Sequence, residues 1–182
     1  MPWDNALPFG VRDVKVTGYT TPAATTLATS TDYPNARTLS FSESEDYEEL
    51  RGDDAIKAIV GLGPGVEWEM ENGGVSIPAY KAMNGGTITT TGTTPAQVTT
   101  YNKKVTDVRP YFKAEGQSMS DSGGDFHVVL YKCRASGSME GELADGSFWL
   151  TSASGAALPS TLTAKVDILY EFVLNETAVA IT

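Results

Sequence analysis

Cysteine and histidine are nearly absent from this sequence, whose 182 residues include one of each, Cys133 and His127. A single cysteine cannot form a disulfide within the chain, so folding does not require an oxidising compartment. One histidine and one cysteine also cannot supply the four ligands of a structural zinc site. Six residues apart on one predicted strand, they would be separated by about 20 Å, too far for a nucleophile and its base. We therefore expect a polar histidine on a sheet and a small buried thiol.

Basic side chains are also scarce. Lys and Arg total 13 against 23 Asp and Glu, which gives a formal net charge of -10. Stable nucleic-acid binding needs a basic face that neutralises phosphates, and the largest basic cluster here is Lys103-Lys104. This composition excludes a DNA-binding regulator, but it is compatible with a role in which DNA passes without adhering.

Long hydrophobic runs are missing as well. No stretch approaches the roughly 20 apolar residues that a membrane-spanning helix needs. The start, Met-Pro-Trp-Asp, lacks the basic residues and the apolar run of a signal peptide. We therefore expect no membrane partner, and a protein that is made and folded in a cytoplasm.

Glycine (18 residues), proline (9) and short runs of Thr, Ser and Val are plentiful, which favours short strands joined by turns. The length allows one sizeable core, so we predict a single domain over residues 1–182. We expect a mainly β fold, an antiparallel sandwich or barrel of about eight or nine strands with one short α-helix. The predicted strands cover residues 11–16, 26–28, 37–51, 55–60, 66–71, 105–115, 126–135, 146–152 and 161–174.

Two glycine-containing segments are predicted to be turns. Gly52-Asp53-Asp54 is one, because Gly and Asp tolerate left-handed backbone angles. The other is Gly61–Gly65, which resembles a phosphate-binding loop only superficially: no Lys-Ser/Thr follows it, and it precedes a strand rather than a helix. The polar, Gly/Ser-rich residues 116–125 are predicted to form a loop.

Residues 66–71 carry the clearest pattern, a strict alternation with a period of two. One face takes Val66, Trp68 and Met70, and the other takes Glu67, Glu69 and Glu71. This predicts a strand with one apolar face and one anionic face. The preceding strand shows the same division, with Leu39 and Phe41 on one face and Ser40, Ser42, Ser44 and Asp46 on the other.

One helix is predicted, over residues 76–84. Ser76 is a suitable N-cap, Pro78 lies in the first turn where its missing N–H costs little, and Gly85 ends the helix. Ile77, Tyr80 and Met83 recur at helical spacing and should pack on a sheet. Residues 86–100, rich in Thr and Gly, are predicted to form a loop or hairpin insertion.

Two alternative functions remain open from the residues alone. Glu67 and Glu71 on one strand, beside an aromatic residue, resemble the carboxylate pair of a jelly-roll glycoside hydrolase. A sugar cleft normally has several aromatic platforms, however, and the chain has only three Trp.

A calcium site at Asp53-Asp54 or at Asp121 and Asp125 lacks the spacing of a known calcium loop. A monomeric immunoglobulin-like adhesion module is the other alternative.

The order of these segments resembles the major tail tube protein of long-tailed bacteriophages, particularly those that infect actinobacteria. The resemblance covers roughly residues 39–177. It rests on the strand from Leu39 to Arg51 and its turn, the acidic strand, the Asn72-Gly73-Gly74 turn and the helix. Three later segments complete it: residues 110–117, residues 125–133, and residues 145–177 from Asp145-Gly146-Ser147-Phe148 through Ala156-Ala157-Leu158-Pro159 to Glu176-Thr177.

The resemblance implies a structural virion protein with no enzymatic activity, no cofactor and no metal. In that family, six copies form a ring whose inner sheets join into one β-barrel, and stacked rings form the tail tube. The tube holds the tape-measure protein, contacts the tail terminator and distal tail proteins, and conducts double-stranded DNA without binding it specifically.

We expect the acidic face to line the lumen, through Glu67, Glu69, Glu71, Ser40, Ser42, Ser44 and Asp46. An anionic wall repels duplex phosphates, so DNA would slide along it. Contacts between rings are expected from an N-terminal arm over residues 1–10, from the turn at residues 52–54 and from residues 86–100. In the arm and the turn, the contact residues are Met1, Pro2, Trp3, Gly52, Asp53 and Asp54.

Overall fold

The computed structural model describes residues 6–137 and 140–181, and these form ten strands and one helix. The strands are β1 (Pro8–Tyr19), β2 (Leu27–Asp32), β3 (Ala36–Gly52), β4 (Ala55–Gly73), β5 (Thr87–Thr91), β6 (Val98–Asn102), β7 (Phe112–Ser120), β8 (Asp125–Ala135), β9 (Leu150–Ala157) and β10 (Tyr170–Asn175). The helix, α1, is Ile77–Asn84. Every strand pair is antiparallel, so the predicted mainly β, antiparallel fold is confirmed.

One eight-stranded sheet makes up most of the molecule. Its order is β2-β1-β7-β8-β9-β4-β3, with β10 also paired to β8, and β5-β6 form a separate hairpin. The sheet folds over itself, because Leu39 of β3 and Val14 of β1 both lie within 4 Å of the position that a Cβ at Gly116 of β7 would take. Two layers therefore enclose one core, an arrangement consistent with a β-sandwich.

A bulge in β8 produces the fold between the layers. Asp125–Leu130 pairs with β10, whereas Cys133–Ala135 pairs with β9. Between these two segments, Lys132 has a φ of 42°. At this point, a step of two residues along β7 corresponds to a step of three residues along β8. An extra residue of this kind bends a strand and increases its twist, so one strand serves both layers.

The core lies between the β3-β4-β9 layer and the β1-β7-β8 layer. Trp68 of β4 meets Phe112 of β7 edge-on, with 5.4 Å between ring centroids. The helix closes one side with Ala79 and Met83, both fully buried. Val14, Val16, Val66, Met70, Ala114, Leu130 and Cys133 complete the centre of this core.

The predicted helix is confirmed with its predicted caps. The Ser76 hydroxyl oxygen accepts from the Ala79 N–H at 3.4 Å, and Gly85, with a φ of 75°, donates its N–H to the Lys81 carbonyl. Of the predicted packing face, Met83 is buried, whereas Ile77 and Tyr80 are half-buried. Tyr80 instead contacts Tyr101 of β6, so the predicted 86–100 insertion forms a hairpin beside the helix.

The turn predicted at Gly61–Gly65 is wrong. The strands predicted before and after it are one continuous strand, β4, in which Pro64 pairs with Glu45 and Gly61 with Tyr47. Here β4 pairs only with β3, because β9 reaches only Val66 to Gly73. Proline is tolerated on such a free edge, where its missing N–H removes no ladder bond. A bulge between Glu45 and Tyr47 accommodates the one extra residue that β4 has in this part of the ladder.

Several other predicted boundaries are wrong. The loop predicted at 116–125 is mostly strand, since β7 continues to Ser120 and β8 begins at Asp125. Gly116 is needed there because Leu39 crosses above it, not because the chain turns. The strand predicted at 146–152 begins only at Leu150, and the last strand begins at Tyr170 rather than at residue 161.

We predict that Gly155→Ala destabilises the fold by about 1–3 kcal/mol. A Cβ at Gly155 would lie 2.0 Å from the Arg134 carbonyl oxygen and 2.9 Å from the Trp68 ring, so β8, β9 and β4 cannot all keep their pairing. Urea unfolding followed by tryptophan fluorescence measures the loss. Gly18→Ala, which would enter open space in β1, is the matched control. Equal midpoints for the two variants would contradict this packing.

Candidate functional site

The outward face of the β3-β4 pair carries the predicted acidic and hydroxyl residues. Glu67 and Glu69 are exposed, and the alternate residues of β4 are buried, so the predicted division of this strand is confirmed. In the β3-β4 register, Ser40 lies opposite Glu69 and Ser42 opposite Glu67. Directly paired residues share a face, so these side chains form one surface.

The surroundings of three predicted surface residues, Glu71, Ser44 and Asp46, differ from one another. Glu71 forms an ion pair with Arg37 at 3.3 Å, a partner that the sequence analysis missed. Ser44 is opposite Gly65, and Asp46 is exposed at the bulge between Glu45 and Tyr47. Arg37 therefore neutralises part of the acidic surface at the end where Glu71 lies. The other end of the surface extends toward the bulge.

Strand β9 widens this surface with small side chains. Ser154 is in register with Glu69, and Ala156 is in register with Glu67 on one side and with Arg134 of β8 on the other. Together they floor a shallow depression of about 540 Å³. The depression is lined by Ser40, Phe41, Ser42, Glu67, Trp68, Glu69, Ser136, Gly137, Ser154, Gly155 and Ala156. No signal in the sequence placed β9 on this face.

Residues 44–65, which we call the hairpin arm, extend beyond the core. Their strands stay paired as far as Gly52 opposite Ala55. Asp53 and Asp54 have φ values of 51° and 61°, which is the geometry of a two-residue type I′ turn and confirms the turn predicted there. Nine residues of β3 from Ser44 to the turn span about 30 Å. Apart from the half-buried Gly52, every residue of the arm is exposed.

The hairpin arm combines exposed apolar side chains with acidic ones. Six of its large hydrophobic residues are 47% to 67% exposed: Tyr47, Leu50, Ile56, Ile59, Val60 and Leu62. The arm also carries six acidic residues against two basic ones, a net charge of -4 out of the chain's -10. Isolated two-stranded hairpins are marginal in water, and contiguous exposed apolar surface marks an interaction site.

The predicted ring-contact residues fall into two groups. Gly52, Asp53 and Asp54 form the tip of the hairpin arm. Met1, Pro2 and Trp3 lie outside the described residues. Residues 8–10 of the predicted N-terminal arm are instead part of β1, which begins at Pro8 and pairs with β7.

His127 is part of a buried polar cluster that the sequence analysis missed. Its Nε2 lies 3.0 Å from Asp125 Oδ2, and its Nδ1 lies 3.2 Å from Glu115 Oε1. Asp125 also accepts from the Val179 N–H at 2.9 Å and from the Asn175 side chain at 2.8 Å. The cluster thus fastens residues 175–179 to β7 and β8. Both ring nitrogens already face carboxylates, so His127 is unsuited to act as a base.

Burial makes the thiol of Cys133 unreactive. Cys133 is fully buried, and this desolvation raises the pKa of its thiol far above neutral pH. The neutral thiol is a poor nucleophile. Among the described residues, no group of three or more His, Cys, Asp or Glu side chains is arranged to hold a metal ion.

Comparison of the chain with known protein families and with curated proteins found no match. In the described part of the chain, no helix has the length and apolar character needed to cross a membrane. The acidic surface and the hairpin arm are therefore the features of this molecule that bear on its function.

We predict that Asp125 contributes to stability above about pH 4. Burial alone would raise its pKa, but hydrogen bonds from Gln117, Asn175, Val179 and His127 outweigh this and lower the pKa to about 2. A carboxyl with a lowered folded-state pKa stabilises the fold above its usual pKa of 3.8, and this contribution is lost as the pH falls toward 2. The contribution is about 2 kcal/mol.

Asp125→Asn should remove this contribution, so the variant should be less stable at pH 7 and lose less stability between pH 4 and pH 2. Thermal unfolding by circular dichroism across this range measures both effects. Asp121→Asn, at an exposed position next to the same turn, is the control and should follow the wild-type profile. An Asp125→Asn profile parallel to wild type would show that the buried carboxylate is not responsible.

Proposed function

We propose that this chain is a structural subunit that assembles with copies of itself, and that it forms the tail tube of a long-tailed bacteriophage. The hairpin arm carries this proposal. Its strands leave the core, expose six large hydrophobic side chains and reach about 30 Å outward. Such a surface is stabilised when another chain covers it.

Open strand edges support assembly in the plane of the sheet. Strands β2 and β3 stand at the two ends of the sheet order, and each pairs on one side only among the described strands. Unpaired backbone N–H and C=O groups at such edges favour pairing with a neighbouring chain. Closing copies into a ring satisfies these groups, and the tail-tube resemblance implies six copies per ring.

The acidic surface supports the role of a conduit. We propose that Glu67, Glu69 and Glu71 face the lumen, where three in each of six subunits give eighteen carboxylates per ring. Serines and alanines from β3 and β9 share this face, so short side chains leave the bore wide. Duplex phosphates would be repelled rather than bound. The tape-measure protein would occupy this bore before the genome passes, and the tail terminator and distal tail proteins would contact the ends of the tube.

The glycoside hydrolase alternative receives less support from the geometry. Glu67 and Glu71, four residues apart on one strand, have backbones separated by about 13 Å. Carboxylate pairs that cleave glycosidic bonds lie roughly 5–9.5 Å apart. Glu71 is also engaged by Arg37. This alternative and the monomeric adhesion module are separate outcomes of the experiment below.

The decisive experiment compares the particle size of the wild-type protein with that of an armless variant. Replacing residues 45–64 by Asn-Gly joins Ser44 to Gly65, which already face each other across the ladder. We expect rings or tubes for wild type by negative-stain electron microscopy and light scattering. The armless variant should be a folded monomer or a single ring, since its core residues are untouched.

A Glu67→Gln/Glu71→Gln double variant separates structure from catalysis. It should assemble as wild type does, because both side chains lie outside the core. Wild-type protein that stays monomeric at high concentration would overturn the proposal. Sugar cleavage that disappears in the double variant would favour the hydrolase instead.

We also predict that reversing the charge of the acidic surface makes the assembled tubes retain DNA. Glu67→Lys/Glu69→Lys should leave assembly intact but produce salt-sensitive binding of short duplex DNA in a gel-shift assay, because lumen cations would neutralise phosphates. Glu142→Lys/Asp145→Lys, at two exposed loop positions, makes the same change in net charge and is the control. Equal retention by the two variants would contradict a lumen position for Glu67 and Glu69.

A further inference from the structure

We propose that a cationic patch built around Tyr111 receives the hairpin arm of a second copy of this chain. The inference rests on the proposed self-assembly and assigns the surface that the arm contacts. We call this surface the Tyr111 patch and define it by Tyr111, Lys132, Arg134 and Leu158.

The bulge in β8 builds the Tyr111 patch. Cys133 and Ala135 point into the core, so Lys132 and Arg134 project from the opposite side of the strand. Lys132 Nζ lies 5.4 Å from the centre of the Tyr111 ring, and Arg134 Cζ lies 5.2 Å from it. These distances are typical of cation–π contacts, which hold both cations in place on one aromatic ring.

The two cations lack a carboxylate partner within the described part of the chain. Two other partly buried cations do have one: Lys113 binds Glu115 and Lys165 binds Glu171, both at 2.7 Å. Among the described residues, the Arg134 guanidinium forms one hydrogen bond, to the Tyr111 hydroxyl at 3.5 Å. Two neighbouring positive charges repel each other, so a carboxylate placed between them would be attracted by both.

An apolar depression of about 460 Å³ lies beside these cations. Its floor includes Ala135 and Ala156, and the exposed Leu158 stands at its edge. Arg109 lies at the rim but donates to Asn84, Ala135 and Gly137, so its guanidinium has a structural role within the chain. The patch therefore offers positive charge and apolar surface side by side.

The hairpin arm presents the complementary pair of groups. Glu48 is opposite Val60 in the β3-β4 ladder, so a carboxylate and an aliphatic side chain lie next to each other on one face. Such directly opposed side chains are about 5 Å apart. On the other face, Glu49 is held by Arg51 at 2.7 Å. Glu48 thus has no partner in the described chain. We therefore assign the Glu48–Val60 face of the arm to the Tyr111 patch.

A second copy is the occupant, because within the described part of the chain the strands of the arm pair only with each other, every arm residue except Gly52 is exposed, and the arm is about 30 Å long. The charges also match: the arm carries -4, whereas the Tyr111 patch is a cationic site on an acidic chain. Docking would cover Val60 and its exposed neighbours while pairing Glu48 with Lys132 and Arg134.

A charge-exchange experiment tests this contact. Glu48→Arg and Arg134→Glu should each raise the protein concentration required for assembly by roughly tenfold or more, because each places like charges together. Combining the two reversals should restore assembly toward the wild-type concentration. Sedimentation velocity measures assembly, and circular dichroism checks that each variant is folded. Glu49→Arg, on the opposite face of the arm, is the matched control and should have little effect.

A cross-linking measurement covers the case in which Arg134→Glu fails to fold. A Glu48→Cys/Arg134→Cys variant should form disulfide-linked dimers and higher species on mild oxidation, since the native Cys133 is buried and inert. Wild-type assembly without charge rescue and without cross-links would overturn this docking site and leave the proposed function standing. A wild-type protein that never assembles would overturn both.

Discussion

Pairing between β3 and β4 is the interaction on which the rest of this structure depends. The two strands form one ladder, of which one end is buried and the other is exposed. At one end β9 adds a further strand, and the opposite layer covers Trp68 and Met70, which are buried. At the other end none of the described strands adds to it, and the same ladder continues into solvent as the hairpin arm. A buried part of the core and an exposed arm are thus parts of one continuous hairpin.

The period of two in β4 gives the body its two chemically different faces. Alternate residues enter the core, so the glutamates between them must point outward, where water solvates them. The bulge at Lys132 has a related effect two strands away, where Arg134 shares a face with Ala156 and Glu67. It bends β8 so that the strand joins both layers, and it brings Lys132 and Arg134 against Tyr111. The acidic surface and the cationic patch therefore both follow from strand geometry.

Much of the local structure was predictable, because the signals act over a few residues. The Ser76 and Gly85 caps, the turn at Asp53 and Asp54, and the β4 alternation were all correct. The errors arose where distant strands decide the outcome. Gly61–Gly65 has the composition of a turn, but β3 pairs along its whole length. His127 gave no local signal of its bond to Glu115, because Glu115 belongs to the neighbouring strand.

The sequence by itself determined the mainly β class, the helix and its ends, and the separation of acidic from apolar residues on β4, because backbone preferences and side-chain periodicity are local properties. Only the tertiary structure decided that the hairpin arm stands clear of the core, that Arg37 pairs with Glu71, and that Lys132 and Arg134 meet one tyrosine. These features depend on which strands become neighbours and on where the sheet bends. Strand order and sheet curvature result from packing among residues far apart in the chain.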